Sequence, residues 1–289
     1  MRTSQLLSQF SLTDLFTHVF VLVDDHLKLS VQAGRFSLPE APDCKGSLSE
    51  LMTIALVGDL LGQHNAELWF ELVKHDYAAL FPVLPDRTRY HRILNNCERL
   101  FADFGLSLVR TTLDTLFVID SMPLPLGKGA RFHRPRQETQ MAIGTSGLGW
   151  VQGYRLHAVV SSERMICRFA LTAANLGDVT VGKALLDGQR DELGSVLGDK
   201  GYLGAGIWSP LMRRARKVVE TVFSPLTRWG RVALGQLNSF RAVRTKVCRK
   251  VAAHNLSLDL NRSHCPYSRW SPDIGGKACY VSGNCPKLS

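Results

Sequence analysis

Two short apolar runs, each leading straight into an aspartate, constrain this chain more than any other feature. Thr115-Leu116-Phe117-Val118-Ile119 precedes Asp120, and Ser195-Val196-Leu197-Gly198 precedes Asp199. Apolar runs of this length are read as buried strands. A strand that ends in a carboxylate delivers it to the carboxyl edge of a sheet, where open α/β sheets place their sites. Between the two runs lies a hairpin pattern. Residues 153–160 partly alternate, 161–164 turn, and 165–172 return. A Pro/Gly/basic loop is expected over 123–136, and a helix over about 179–192 leads to the second run.

The first 110 or so residues have a different rhythm. Leu12, Leu15, Phe16, Val19, Phe20 and Val23 recur at three- and four-residue spacing, which puts them on one helix face. Ser11 is the candidate cap, with Asp14 in the first turn. Ser47-Leu48-Ser49-Glu50 opens a second helix to about Leu61, with Ser47 as cap and Glu50 as its box partner. A third helix is predicted over 66–80, stopped by Pro82 and Pro85. Asp86 then caps a basic helix over 87–100 that carries Arg87, Arg89, His91, Arg92 and Arg99. Beyond the second Asp, 213–223 and 237–260 read as helices, the first of them basic and closed by Ser224-Pro225. The pattern divides the chain into a helical part over 1–112, an α/β part over 113–262 and an irregular tail over 263–289.

Charge narrows the classes of partner. The net charge is +10. From Gly201 to Arg262 there are twelve Lys and Arg against two acids, Glu220 and Asp259, a surplus equal to that of the whole chain. A segment of one sign repels itself unless a polyanion is present, so nucleic acid is the expected partner. A solvated helix face is the plainer reading of part of it. The seven cysteines are odd in number, widely spaced and without a CxxC, so neither a disulfide framework nor a zinc site is indicated. The apolar stretch Val19–Val23 is too short to span a bilayer, and no membrane partner is expected.

The carboxylates carry the chemistry. Phosphodiester cleavage needs a deprotonated oxygen nucleophile and a stabilised leaving oxygen, and a pair of Mg²⁺ ions supplies both. Such ions take hard oxygen ligands, and a few carboxylates with substrate phosphate suffice. Asp120, Asp199 and Glu220 are the candidate set, Glu220 being an isolated acid on an otherwise basic helix. Each has a plainer alternative. Asp120 and Asp199 suit turns or caps, and Glu220 suits an ion pair with Arg216 one helical turn earlier. His157 reads as a packed histidine, and Asp178 as the cap of the helix that starts at Val179.

As an ordered set, several blocks resemble the insertion sequence 982 family of DDE transposases. These are Val118-Ile119-Asp120-Ser121-Met122-Pro123, Gly153-Tyr154-Arg155-Leu156-His157, Leu197-Gly198-Asp199-Lys200-Gly201-Tyr202 and Val219-Glu220-Thr221-Val222-Phe223-Ser224. Ala253-His254-Asn255-Leu256-Ser257-Leu258 is similar to the family's C-terminal helix, and the resemblance covers roughly 11–262. It implies an RNase H-like catalytic core, a mixed sheet flanked by helices, behind an all-α N-terminal domain that binds DNA. It implies that Asp120, Asp199 and Glu220 are catalytic and hold two Mg²⁺ or Mn²⁺ ions. It implies cleavage at the ends of an insertion sequence and joining of the freed 3′-OH to target DNA. The partners would be double-stranded DNA, both terminal inverted repeats and target, and further copies of the chain. The setting would be the bacterial cytoplasm, at the nucleoid. DNA contacts are expected from Arg87, Arg89 and Arg92 in the front part. Lys200, Arg213, Arg214, Arg216, Lys217, Arg228, Arg231, Arg241, Arg244 and Lys246 would add contacts from the basic stretch. The chain departs from the family in two places, one of them the tail after Arg262, which does not look like family sequence. In the other, Asp199 and Glu220 stand 21 positions apart, where the family has a longer stretch with a further strand and a basic loop. The alternative reading is therefore a catalytically impaired remnant that binds DNA or represses transposition.

Overall fold

The computed structural model describes residues 10–36, 45–109, 116–127, 141–146, 149–187, 195–198, 202, 210–228, 239–263 and 280–281. Helix α1 runs Leu12–Gln32, and its cap is the expected one: Ser11 Oγ accepts from the Asp14 N–H at 3.1 Å. Helix α2, Leu48–Leu60, starts with the full capping box, in which Ser47 Oγ accepts from Glu50 N–H and the Glu50 carboxylate accepts from Ser47 N–H. Helix α3 is Ala66–Asp76, shorter than predicted, because Leu80 and Phe81 N–H turn back onto the Tyr77 carbonyl. The basic helix predicted over 87–100 is two helices. Asp86 caps α4, Arg87–Asn96, and the chain breaks at Cys97 before α5, Glu98–Ser107. The break lets both Leu94 and Leu100 face the interior.

Beyond α6 (Asp178–Leu186) and α7 (Pro210–Arg228), the last long helix, α8 (Phe240–Ser263), returns to these front helices. It lies parallel to α5. Arg244 donates to Glu98 at 2.8 Å near one end, and Ala252 meets Gly105 further along. A Cβ on Gly105 would sit 2.6 Å from Ala252 Cα, so glycine here permits the close approach of the two backbones. Asn255, fully buried, satisfies three backbone groups. Its amide donates to Gly105 O at 2.8 Å and Ile166 O at 3.0 Å, and its carbonyl accepts from Ile166 N–H at 2.9 Å.

Deeper along α8, Arg249 and Lys250 both reach Asp59 of α2 at 2.7 Å, and all three side chains are largely removed from water. The basic stretch is thus less one-sided than its sequence implies. Acids from distant helices neutralise part of it, and Arg262 pairs with Glu163 as well.

The sheet has a short, mixed topology. Its strands are β1 (Leu116–Gly127), β2 (Ala142–Ser146), β3 (Gly149–Ser161), β4 (Ile166–Ala173), β5 (Ser195–Gly198) and β6 (Tyr280–Val281), in the order β5-β1-β3-β4-β6, with β2 also on β3. The predicted hairpin is β3–β4, turning over 161–164. β1 pairs antiparallel with β3 and parallel with β5. β2 was not foreseen. From the expected tail only β6 is described, as an edge strand parallel to β4.

Helices flank both faces, and strand alternation decides which residues meet them. Val118, Met122, Leu124, Leu156, Ala158 and Val160 join the core shared with α5, α8 and helix α7, Pro210–Arg228. Phe117, Ile119 and Val159 join a smaller cluster beneath helix α6, Asp178–Leu186. Cys97, Cys167 and Cys248 are buried thiols that form no disulfide. Among the described residues no helix is long and apolar enough to cross a membrane.

Burial alone would push the Asp59 carboxyl up; Arg249 and Lys250 offset this and hold it below its ordinary value. Replacing Asp59 by Asn leaves two cations buried without a counter-charge. We predict a loss of about 3–5 kcal/mol, read by urea denaturation at pH 7. Because the folded-state pKa is depressed, the native contribution is complete above the ordinary carboxylate range. It disappears as pH falls through the lower folded value, so the gap between native and variant narrows in acid.

Candidate active site

Asp120 does not end its strand. β1 continues through Pro123 and Pro125 to Gly127, paired with β3 all the way. The sequence hides this extension because prolines ordinarily mark loops. They are tolerated here because β5 accompanies β1 only as far as Ile119, opposite Gly198, and β1 has an open side beyond that point among the described residues. Asp120 is therefore the first residue of β1 past the end of β5. Its Oδ1 accepts from the Ser121 N–H at 2.7 Å. By alternation it shares a face with Val118 and Met122, the face against which α7 packs.

Glu220 is on α7, as expected, although that helix is longer than predicted, running from Pro210 past Pro225 to Arg228. Val219, Val222, Phe223 and Leu226 are buried in the core that includes Val118 and Met122, and Glu220 itself is exposed. Asp120 and Glu220 thus belong to the same side of the sheet. Asp199 follows Gly198 directly in the chain and, with Lys200 and Arg231, lies outside the described residues. Among the described residues no three His, Cys, Asp or Glu side chains form a metal-holding group. The donors singled out are carboxylate oxygens, the ligand type that suits Mg²⁺ or Mn²⁺.

On the reverse face of β1 stands a polar network that sequence reasoning treated as unrelated pieces. Asp178 is not the cap of α6. Gly177 occupies that position, and Asp178 is the first helical residue. Its carboxylate instead accepts from Arg155 at 2.7 Å and from Ser121 Oγ at 3.3 Å. Arg155 also donates to the Thr145 carbonyl of β2.

His157, directly opposite Ser121 in the β1–β3 register, is fully buried. Its Nδ1 lies 2.7 Å from the Tyr202 hydroxyl and its Nε2 3.0 Å from Thr172 Oγ1. Burial, with Arg155 acting in the same direction and Asp178 opposing, lowers the His157 pKa to about 4. Burial and the nearby Asp178 carboxylate raise that of the Tyr202 phenol, while a hydrogen bond from Ser121 opposes them. A neutral imidazole beside a protonated phenol assigns the bonds. Tyr202 donates to Nδ1, and the Nε2–H donates to Thr172. His157 is the packed histidine the sequence allowed, with both ring nitrogens partnered.

The basic residues fall into three groups. Arg87 pairs with Glu67 at 3.0 Å across exposed surface; Arg89 is half-buried and Arg92 exposed. Arg241 donates to Asn96 at 2.9 Å, Arg244 is paired with Glu98, and Lys246 is half-buried. Lys217 is exposed on α7, while the side chains of Arg213, Arg214, Arg216 and Arg228 lie outside the described residues. The feature most clearly missed from sequence is the open groove of about 680 Å³ between the α4–α5 junction and the start of α8. Asn95, Asn96, Arg99, Phe240, Arg241 and the paired Glu98–Arg244 line it. Only the tertiary pairing of α5 with α8 makes it visible.

Residues 110–229, less than half of the chain, match the family described as Transposase DDE domain. The matched stretch contains β1, β5, all of α7 and all three candidate carboxylates. It supports a DDE transposase and so implies DNA as a partner. No curated protein and no solved structure matches the chain.

The buried histidine gives a pH prediction. With its folded-state pKa near 4 against an ordinary 6.5, neutral His157 contributes stability that is complete above pH ~6.5 and is lost as pH falls toward 4. Lowering the pH from 7 to 5 is expected to cost on the order of 1–2 kcal/mol from this group. Its ring proton resonances, assigned by comparison with His157→Gln, should titrate near pH 4. A midpoint near 6.5 would contradict the assignment.

Proposed function

We propose that this protein is a bacterial insertion-sequence transposase of the insertion sequence 982 type. It cleaves at the element's ends and joins the freed 3′-OH to target DNA by two-metal phosphoryl transfer. The observation that carries the reading is the register of β1 and β5. Ile119 lies opposite Gly198, and Asp120 and Asp199 are the residues that follow these two in the chain. α7 packs over that face with Glu220 on it. Strand order supports an RNase H-like core: an antiparallel β1–β3–β4 set with β5 added parallel on the far side of β1. Asp120, Asp199 and Glu220 are the proposed catalytic residues and the ligands for two Mg²⁺ or Mn²⁺ ions. When bound, the ions lower the pKa of the attacking oxygen and stabilise the leaving one.

The chain's own residues supply the rest. Asp120 is held by a backbone hydrogen bond on a strand fixed by β3, so its direction is set before substrate arrives. The helical front over 1–112, with Arg87, Arg89 and Arg92, is the proposed grip on terminal repeats. Lys200, Arg213, Arg214, Arg216, Lys217, Arg228, Arg231 and Lys246 are proposed to contact the phosphates of substrate and target duplex. Arg241 and Arg244 belong to the same surface, restrained by Asn96 and Glu98. Double-stranded DNA and further copies of the chain are the partners, and the bacterial cytoplasm at the nucleoid is the place.

A second reading has its own observation. Among the described residues β5 is the sheet's edge strand, and α7 begins eleven positions after Asp199, leaving little chain for a further strand beyond it. That arrangement favours a remnant that binds element ends without cutting them. A single-turnover assay on DNA carrying the element's own ends, with Mg²⁺, separates the two. The transposase gives cut and then joined strands, and Asp120→Ala abolishes both while still shifting the DNA. If native protein and variant both bind and neither cuts, the remnant reading stands.

A further inference from the structure

We propose that the open groove between the α4–α5 junction and the start of α8 is a site for an unpaired nucleotide of the DNA substrate. This rests on the reading above that DNA is the partner, and it adds a second site, apart from the carboxylates. The groove has a volume of about 680 Å³, within the range of ligand sites. Its charged lining is Arg99, Arg241 and Arg244 against Glu98, so it favours an anion.

Two of these cations are held by neighbours. Arg244 donates from Nε to Glu98 at 2.8 Å, and its guanidinium lies over the Phe240 ring, 5.3 Å from the centroid. Arg241 donates to Asn96 Oδ1 at 2.9 Å. The third, Arg99, is exposed, and among the described residues its side chain has no ion pair or hydrogen bond; the same holds for the Asn95 amide. Asn95 is anchored through its backbone, whose carbonyl accepts from Thr245 Oγ1 at 3.1 Å. The lining thus offers three chemistries together. A guanidinium lying on a phenyl ring makes a flat surface on which a base can stack. The Asn95 amide brings a donor and an acceptor for a base edge. Arg99 brings a cation for a phosphate. A base inside a duplex has both faces covered by its neighbours and cannot use the first of these, so the occupant is unpaired. An acidic peptide would satisfy the cations and leave the stacking surface unused.

The groove also belongs to the layer that covers the proposed centre. Phe240 packs on Tyr154 of β3, with ring centroids 4.9 Å apart. In the β1–β3 register Tyr154 is opposite Leu124, and Ala158 is opposite Asp120. Tyr154 and Ala158 join the same core on one face of the sheet, about 13 Å apart along the strand.

The test uses the full-length protein and fluorescein-labelled DNA in three forms: a single strand of about 12 nucleotides, a length such sites span, the same strand without its bases, and the blunt duplex. Fluorescence anisotropy is expected to show the intact strand bound about tenfold more tightly than the abasic one, the low end of what one stacked base contributes. Phe240→Leu should erase most of that difference. Arg99→Ala should weaken strand binding and lower its salt slope by about 0.7, the share of one phosphate contact. Asn95→Ala should weaken the intact strand and leave the abasic strand and the salt slope unchanged. All three should hold duplex affinity within about twofold. Lys74→Ala, which removes one exposed charge from α3, is the control and should leave the preference for the intact strand as it is. The inference fails if the abasic strand binds as tightly as the intact one, or if Arg99→Ala and Asn95→Ala bind the strand like the native protein. It fails equally if those variants weaken the duplex as much as the strand, or if Lys74→Ala reproduces their effect. A native protein that cuts duplex element ends but shows no such strand binding loses this site and keeps the transposase reading. One that binds the strand through these residues yet neither binds nor cuts element ends keeps this site and loses the transposase reading.

Discussion

The parallel pairing of β1 with β5 extends over only four residue pairs, yet it sets the point at which Asp120 leaves the paired part of β1 among the described residues. β1 is gripped on its other side by β3 along almost its whole length, so its position is fixed. β5 has no such support among the described residues; it is held by β1, by Leu197 against the larger core and by Val196 against the smaller one. Where β5 stops, β1 continues, and the resulting notch holds Asp120 at its rim. Sheets concentrate chemistry at such places because backbone geometry is still rigid while one side is already open to a ligand.

The two faces of β1 divide the work. One carries Asp120 toward α7 in a layer whose apolar packing extends to the N-terminal helices. The other carries Ser121 into a set of hydrogen bonds that ties α6, β3 and β4 together. A single residue step along a strand exchanges these faces, so the register fixes the site as firmly as any side-chain contact does. Arg168, opposite Val159 on the face toward α6, donates from its guanidinium to the Leu185 carbonyl at that helix's negative end.

Local chemistry made the helix starts legible. Ser11, Ser47 and Asp86 each cap the helix their sequence announces, since a cap needs only the next few residues. The two apolar runs were legible as strands for the same reason. What escaped reading was set by partners far along the chain. The extension of β1 through Pro123 and Pro125 depends on a side that β5 leaves open among the described residues, which no local pattern reveals. Asp178 has the composition of a cap and the position of one, but Arg155 and Ser121 offer its carboxylate better-placed donors. The cations of 241–250 look uncompensated because Asp59 and Glu98 lie some 150–190 positions earlier. Of the candidate site, the sequence offered candidate carboxylates, and only the fold gives the faces on which Asp120 and Glu220 stand.

The return of α8 onto α2 and α5 also bears on how the protein is made. Arg249 meets Asp59 across 190 positions of chain, so the helical layer cannot close until α8 has left the ribosome. Until then Asp59 has neither cation, and the apolar face of α5 has no cover. A product cut short before α8 would expose both to chaperones and proteases. Copies that stop short of α8 should therefore be cleared instead of accumulating, and only chains translated through that helix yield a durable molecule.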